Sequence, residues 1–332
     1  MYDKKNDIYN EKTKKNLRII KEARKKNECL FKNVKIKCDC NNDKLKTQGN
    51  HLIAKSKYLE CISQNDEVMI FNIESADYYR LGRKLLRCNI KKAHKYRVLC
   101  GQHDKGLFEK IENGNEFDEK NKQQCFEFAL RAFIFYYSEQ LIKNNVQTMN
   151  QIFEARAKLS LNYHASTLDK FKYCYENSVW DALETYSIVL DKKIEFISCS
   201  CFYPIIDINN RYKGYVKDNI FFNIFPRNED SIILISYFKD SSKHCKNLCK
   251  EIDKYVNRKQ YKQLERYLSK MIIAQDKSIT LNPLLWEKWS EKQQNNFYKY
   301  AHLFKKGKIR EVIKDALYFK FSKPKFNLFD EL

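Results

Sequence analysis

Cys100 and His103 stand two residues apart in the run VLCGQHDKGLF (98–108). A thiolate and an imidazole at that spacing offer two ligands from one turn to a tetrahedral metal such as zinc. Gly101 permits the sharp turn between them. Three cysteines upstream can complete the set. Cys29 and Cys40 are favoured, with Cys38 as a substitute for either. In a regular strand the two thiols of Cys38-Asp-Cys40 would share a face yet stand nearly two residue rises apart. His51, in GNHLIAKS (49–56), is then left for other work. An imidazole with a pKa near about 6.5 suits a general base at cellular pH. Asp104 places a carboxylate beside His103, the ligand type of a hard cation such as Mg²⁺ or Mn²⁺, and Asn50 can support it. A cation held there polarises a scissile phosphate. The other assignment makes His51 a fourth zinc ligand.

Three regions must position these side chains. Residues 1–28 form a basic N-terminal segment, expected as a solvated, partly frayed terminus, in which a helix carrying Lys14, Lys15, Arg18, Lys21, Arg24, Lys25 and Lys26 would show a positive face. Residues 29–112 hold the cysteines and histidines as one zinc-binding module. Residues 113–332 read as a mostly helical domain. There, Phe126, Leu130, Phe133, Ile134, Tyr137 and Leu141 recur at three- and four-residue steps, the mark of a buried helix stripe. Further helices are predicted over 147–160 and 164–190, the latter with Phe171, Cys174, Tyr175, Val179, Ala182 and Leu183 inward. The period then changes. The runs 194–202, 219–226 and 231–238 are β-branched and aromatic, separated by turn-forming residues. They predict a hairpin with a third strand, a small three-stranded antiparallel sheet at about 194–238. Helices resume over about 241–320. The fold class is therefore α+β.

Composition sets the partners. The chain has 332 residues, 43% hydrophobic and 14% aromatic, with only seven glycines and four prolines. No apolar run reaches membrane-spanning length, and the first residues carry no apolar core of a signal peptide. A soluble, cytoplasmic protein without membrane contact is expected. In a reducing compartment the twelve cysteines are thiols or metal ligands rather than disulfides. Cys199 and Cys201 should share one face of a strand as an inert pair. Cys245 and Cys249 share a helix face but lack a further pair to complete a site. The net charge of +21, from 63 Lys and Arg against 42 Asp and Glu, attracts polyanions and points to DNA or RNA. Neither a Gly-rich phosphate loop nor a serine nucleophile elbow is present, which argues against an ATPase, kinase or serine hydrolase.

NHLIAKS (50–56) followed by Lys91-Lys92-Ala93 and LCGQHDKGLF (99–108) resembles the ββα-metal, treble-clef zinc fold of HNH-like proteins. The nearest resemblance is to a poorly characterised bacterial group associated with phage defence and mobile elements. It implies a small treble-clef zinc module, a metal-dependent endonuclease activity with His51 as general base and Asp104 and Asn50 at the hydrolytic cation, and a possible protein partner from a defence system. The sequence departs from the pattern in four ways, one being Cys-x-x-His-Asp where Cys-x-x-Cys-His is usual. Asn50 stands where Asp or His is usual. Tyr96 and Arg97 stand where the middle Asn belongs. The insert between His51 and Cys100 is long. These departures favour a second reading, a non-catalytic zinc-stabilised module that binds nucleic acid or serves as a scaffold.

Overall fold

A computed structural model of the chain describes residues 28–34, 47, 49–53, 55–71, 84–112, 116–147, 151–203, 218–241, 243–276, 278–303 and 309–332. Of the basic segment 1–28 only Glu28 falls within them, and Cys38 and Cys40 lie outside. In chain order the strands are β1 (Asn50–His51), β2 (Glu67–Phe71), β3 (Leu85–Asn89), β4 (Lys95–Tyr96), β5 (Leu183–Leu190), β6 (Phe196–Phe202), β7 (Ile220–Pro226), β8 (Ser231–Phe238) and β9 (Thr280–Leu281). The α-helices are α1 (Gly101–Leu107), α2 (Glu109–Glu112), α3 (Lys122–Gln147), α4 (Gln151–Glu176), α5 (Lys243–Asn257), α6 (Tyr261–Gln275), α7 (Pro283–Lys288), α8 (Glu291–Ala301) and α9 (Ile309–Phe321). No helix among the described residues is long and apolar enough to cross a membrane.

The chain forms two compact units. Among the described residues the first holds 28–52 and His94–Asp181, and the second holds Ile53–Phe71, 84–93 and Ala182–Leu332. The segment 29–112 is thus divided between them. In the first unit β1 pairs antiparallel with β4, Asn50 opposite Tyr96 and His51 opposite Lys95. The Leu52 N–H extends this ladder to the His94 carbonyl at 3.1 Å. Four residues after β4 the chain enters α1, so two short antiparallel strands lead directly into a helix.

The long helices α3 and α4 frame that motif. Every residue of α3 from Gln124 to Phe135 is buried, and Phe171 of α4 packs against Phe126 at 5.4 Å and Phe133 at 5.3 Å between ring centroids. The two helices expected over 147–160 and 164–190 are corrected to the single helix α4, which stops at Glu176. Ser178 takes φ 54°, a left-handed conformation that ends a helix. One 3₁₀ turn, Trp180–Ala182, follows. Leu183, placed inward on a helix by its spacing, instead opens strand β5.

The second unit is built on a sheet larger than the three strands predicted. It has seven, in the order β3-β2-β9-β6-β7-β8-β5, and every described pairing is antiparallel. The β7–β8 hairpin and its neighbour β6 match the predicted core of the sheet. On one side β5 pairs with β8 along its whole length, from Leu183 opposite Phe238 to Leu190 opposite Ser231. On the other, β2 and β3 come from the insert between His51 and Cys100. Two residues, Thr280 and Leu281, join the halves, because Leu281 pairs with both Met69 and Phe196.

Every residue of β6, β7 and β8 is buried, so both faces of the central sheet are covered and their side chains read as continuous apolar runs. One face, carrying Phe222, Ile224, Ile233 and Ile235, belongs to the core formed with α5 to α9. On the other face, Tyr58 of the π-helical turn Lys55–Leu59 packs on Phe225 at 4.6 Å. Cys199 and Cys201 are buried in β6. Cys245 and Cys249 are buried on α5, where burial raises both thiols.

Phe297 is the centre of an aromatic cluster. Fully buried, it meets Trp286 at 5.2 Å, Phe326 at 5.4 Å, and Phe71 and Trp289 at 5.8 Å each. Phe297→Ala is expected to cost about 3–5 kcal/mol of stability, since so many rigid rings cannot collapse into the space. Urea unfolding of the two proteins measures it. A loss below about 1 kcal/mol would show that the cluster relaxes around the gap.

Candidate metal centre

Cys100 is the N-cap of α1. Its extended backbone (φ −76°, ψ 163°) precedes the first helical residue, and its Sγ accepts from the His103 backbone N–H at 3.5 Å. Side chains of a helix lean toward its N-terminus, which brings the His103 ring back onto the cap. Cys29 arrives from a tight turn closed by Lys32 N–H to Cys29 O (3.1 Å) and Val34 N–H to Phe31 O (2.9 Å). A third backbone bond, Leu30 N–H to Val98 O at 3.0 Å, fastens that turn to the segment leading into Cys100.

The result is one cluster. His103 Nδ1 lies 3.2 Å from Cys29 Sγ and 3.3 Å from Cys100 Sγ. The three ligand atoms lie within 4.8 Å of one another, and the residues are 7%, 1% and 0% exposed for Cys29, Cys100 and His103. No other such group occurs among the described residues. Burial pushes the Cys29 thiol up to about 11, while burial holds His103 below the usual histidine value against an opposing backbone hydrogen bond at Val34. The imidazole is therefore in its neutral, ligating form. The thiol yields its proton when a cation takes the place. Two sulfurs and an imidazole, with no carboxylate, are the donor set of zinc. Three of the four expected zinc ligands are thus brought together, and Cys40 lies outside the described residues.

A polar network lies next to this cluster. Asn50 is 3% exposed on β1, and its Oδ1 accepts from the Leu99 N–H at 3.2 Å. Its side chain also hydrogen-bonds Asp104, the residue after His103. Burial raises the Asp104 carboxyl, opposed by the Arg131 guanidinium and by Asn50. Asp104 Oδ1 is buried without a hydrogen-bond partner among the described residues. Of the three candidate catalytic residues, Asn50 and Asp104 are therefore in contact. His51 is the next residue of β1, half-buried, and successive strand residues point to opposite faces.

Arg131 was not singled out as a site residue by sequence, yet it organises the network. It is 3% exposed on α3, its guanidinium lies 4.2 Å from the Phe108 ring centroid, and it is ion-paired with Glu112. Glu127, one turn earlier, is fully buried and accepts from the Lys110 N–H at 3.0 Å and Gln123 Nε2 at 3.1 Å. The available signal was an i, i+4 Glu–Arg pair interrupting the apolar run CFEFALRAF (125–133).

Burial outweighs these bonds and pushes Glu127 up to about 7 from an ordinary 4.5. The folded chain thus holds a proton that the unfolded chain has released. Stability is full below pH 4.5 and declines as pH rises through 7, by about 3 kcal/mol in all. Glu127→Gln removes this decline. Thermal unfolding of both proteins from pH 4.5 to 8 should show their difference shift steadily toward the variant, and parallel profiles would contradict the assignment.

No family model, curated protein or solved structure matches the chain.

Proposed function

We propose that this protein is a metal-dependent endonuclease of HNH-like type, with a treble-clef zinc module in its first unit. The observation that carries the reading is the contact of Asn50 with Asp104, beside the buried Cys29, Cys100 and His103. Asn50 comes from a strand, His103 and Asp104 from a helix that Cys100 caps, in the strand–strand–helix order implied by the ββα resemblance, and Cys29 joins them from a turn.

In this reading Cys29, Cys100 and His103, completed by Cys40 or Cys38, hold a structural zinc that fixes the start of α1. Asp104 and Asn50 hold Mg²⁺ or Mn²⁺, and the buried, unpartnered Asp104 Oδ1 suits that role. The cation supplies Lewis-acid polarisation of the scissile phosphate. His51 takes the proton of the attacking water. Net charge +21 draws the polyanion to the surface. A place in anti-phage defence follows from the resemblance alone, as does a defence-system partner.

A specific observation favours the second reading, a zinc-stabilised module that binds nucleic acid without cutting it. The Asn50 amide oxygen is already engaged by the Leu99 N–H, and Arg131 stands near Asp104, so both compete with a cation. Incubation of plasmid DNA and of single-stranded RNA with Mg²⁺ or Mn²⁺ separates the two. Cleavage abolished in Asp104→Asn supports the nuclease. Binding with no cleavage under any of these conditions supports the module.

A further inference from the structure

Cys29 also borders a cavity of the first unit. It measures about 310 Å³, at the lower bound of ordinary ligand pockets, and lies between the 28–34 turn and the facing sides of α3 and α4. Leu30, Val98, Tyr137, Leu141 and Leu168 make most of its wall apolar. Its polar and charged lining residues are Glu28, Lys32, Asn33, Ser138 and Lys172. Ser138 is 1% exposed, and its Oγ is buried without a hydrogen-bond partner among the described residues. Glu28, the carboxylate among the lining residues, is ion-paired with Lys32 at 2.6 Å, with both side chains largely exposed. Lys172 makes no ion pair among the described residues, and its ammonium lies 5.8 Å from the Phe31 ring centroid.

We propose that this cavity binds one nucleotide, with the base held against Ser138 and the apolar wall and the phosphate held by Lys172 and Lys32. The chemistry decides the class. A bare phosphate would leave the apolar wall wet, and a hydrocarbon would leave Ser138 unpaired, which costs free energy in a buried place. A nucleobase has a flat apolar body and a polar edge, and its 5′-phosphate supplies an anion for the lining lysines. Aromatic and aliphatic side chains hold bases in this manner without requiring a fixed sequence. The proposal rests on the nucleic-acid reading and deepens it. The occupant has two sources, a free nucleotide or the terminal nucleotide of a strand. In the second case Cys29, which borders both sites, would set a strand end beside the zinc cluster.

Calorimetric titration of the full, zinc-loaded chain tests this with 5′-AMP, 5′-UMP, adenosine, uridine and inorganic phosphate. One monophosphate per chain is expected, bound at least about tenfold more tightly than its nucleoside or phosphate. Lys172→Glu should weaken it by about tenfold or more, the loss of a charge-assisted hydrogen bond, and Ser138→Ala by a few-fold. Zinc content and the unfolding temperature of both variants serve as folding controls. Octathymidylate with and without a 5′-phosphate then identifies the source. Tighter binding of the phosphorylated strand supports an end-binding pocket, and equal binding with mononucleotide affinity intact supports a free nucleotide. Absence of saturable mononucleotide binding overturns the pocket, as do affinities unchanged in both folded variants. If octathymidylate still binds in those cases, the nucleic-acid reading stands without the pocket. If no nucleic acid binds at all, both fall.

Discussion

Cys100→Ala combined with His103→Ala is expected to yield protein without zinc and with a destabilised first unit, where the wild-type chain is expected to carry about one zinc. The cluster joins the 28–34 turn to α1 across 74 residues of sequence. Two of its members are buried thiols, which pack as small hydrophobes in the metal-free state. Structural zinc in small domains is worth about 10–16 kcal/mol in apparent terms. Here packing of α3 and α4 sustains part of the unit, so a smaller share is lost. A fall in unfolding temperature on the order of 10 °C still corresponds to only a few kcal/mol at this size. Metal analysis and calorimetry of wild type, the double variant, Cys40→Ala and Cys38→Ala measure both effects. Loss of zinc in one of the last two identifies the fourth ligand. A carefully prepared wild type without stoichiometric zinc would remove the basis of the metal centre.

The second large effect concerns catalysis. His51→Ala should lower the cleavage rate by about 10²–10⁴-fold, the contribution of a positioned general base, while zinc content and stability stay near wild type. His51 is half-buried on a two-residue strand, and its truncation leaves the backbone pairing to Lys95 in place. Asp104→Asn should be comparably severe for a different reason. It keeps a side chain of the same shape for Asn50 but removes the charge that would hold a divalent cation. Raising Mg²⁺ or Mn²⁺ concentration should therefore rescue Asp104→Asn partly and His51→Ala not at all. Cleavage at wild-type rate in both variants would sink the nuclease reading and leave the binding module.

Much of the metal cluster was legible because it is local. Cys-x-x-His needs only a turn and the first residues of a helix, and the spacing alone puts both ligands on one side of an N-cap. Cys29 was nameable as a favoured partner beside Cys40, with Cys38 as a substitute for either. Its selection depends on a backbone bond from Leu30 to Val98, which no spacing encodes. The Asn50–Asp104 contact was foreseen as a shared role, while Arg131 beside it was not. A charged residue within an apolar helix stripe looks like an interruption until the surrounding helices bury it.

The sheet shows the same division. β6, β7 and β8 announce themselves because strands buried on both faces read as unbroken β-branched and aromatic runs. β5 does not, since its apolar residues fall at spacings that also continue the preceding helix, and only the left-handed turn at Ser178 separates the two. β9 has two residues, too few to carry any period, yet it joins two parts of one sheet. The sequence by itself determined the mixed helix-and-strand class, the strong positive charge and the donor types available for a metal. Tertiary structure alone decided that the insert after His51 builds the edge of a seven-stranded sheet in the second unit. It also decided that Cys29 meets Cys100 and His103. Both depend on pairings between residues far apart in the chain, whose free energy lies in shared burial rather than in any local preference.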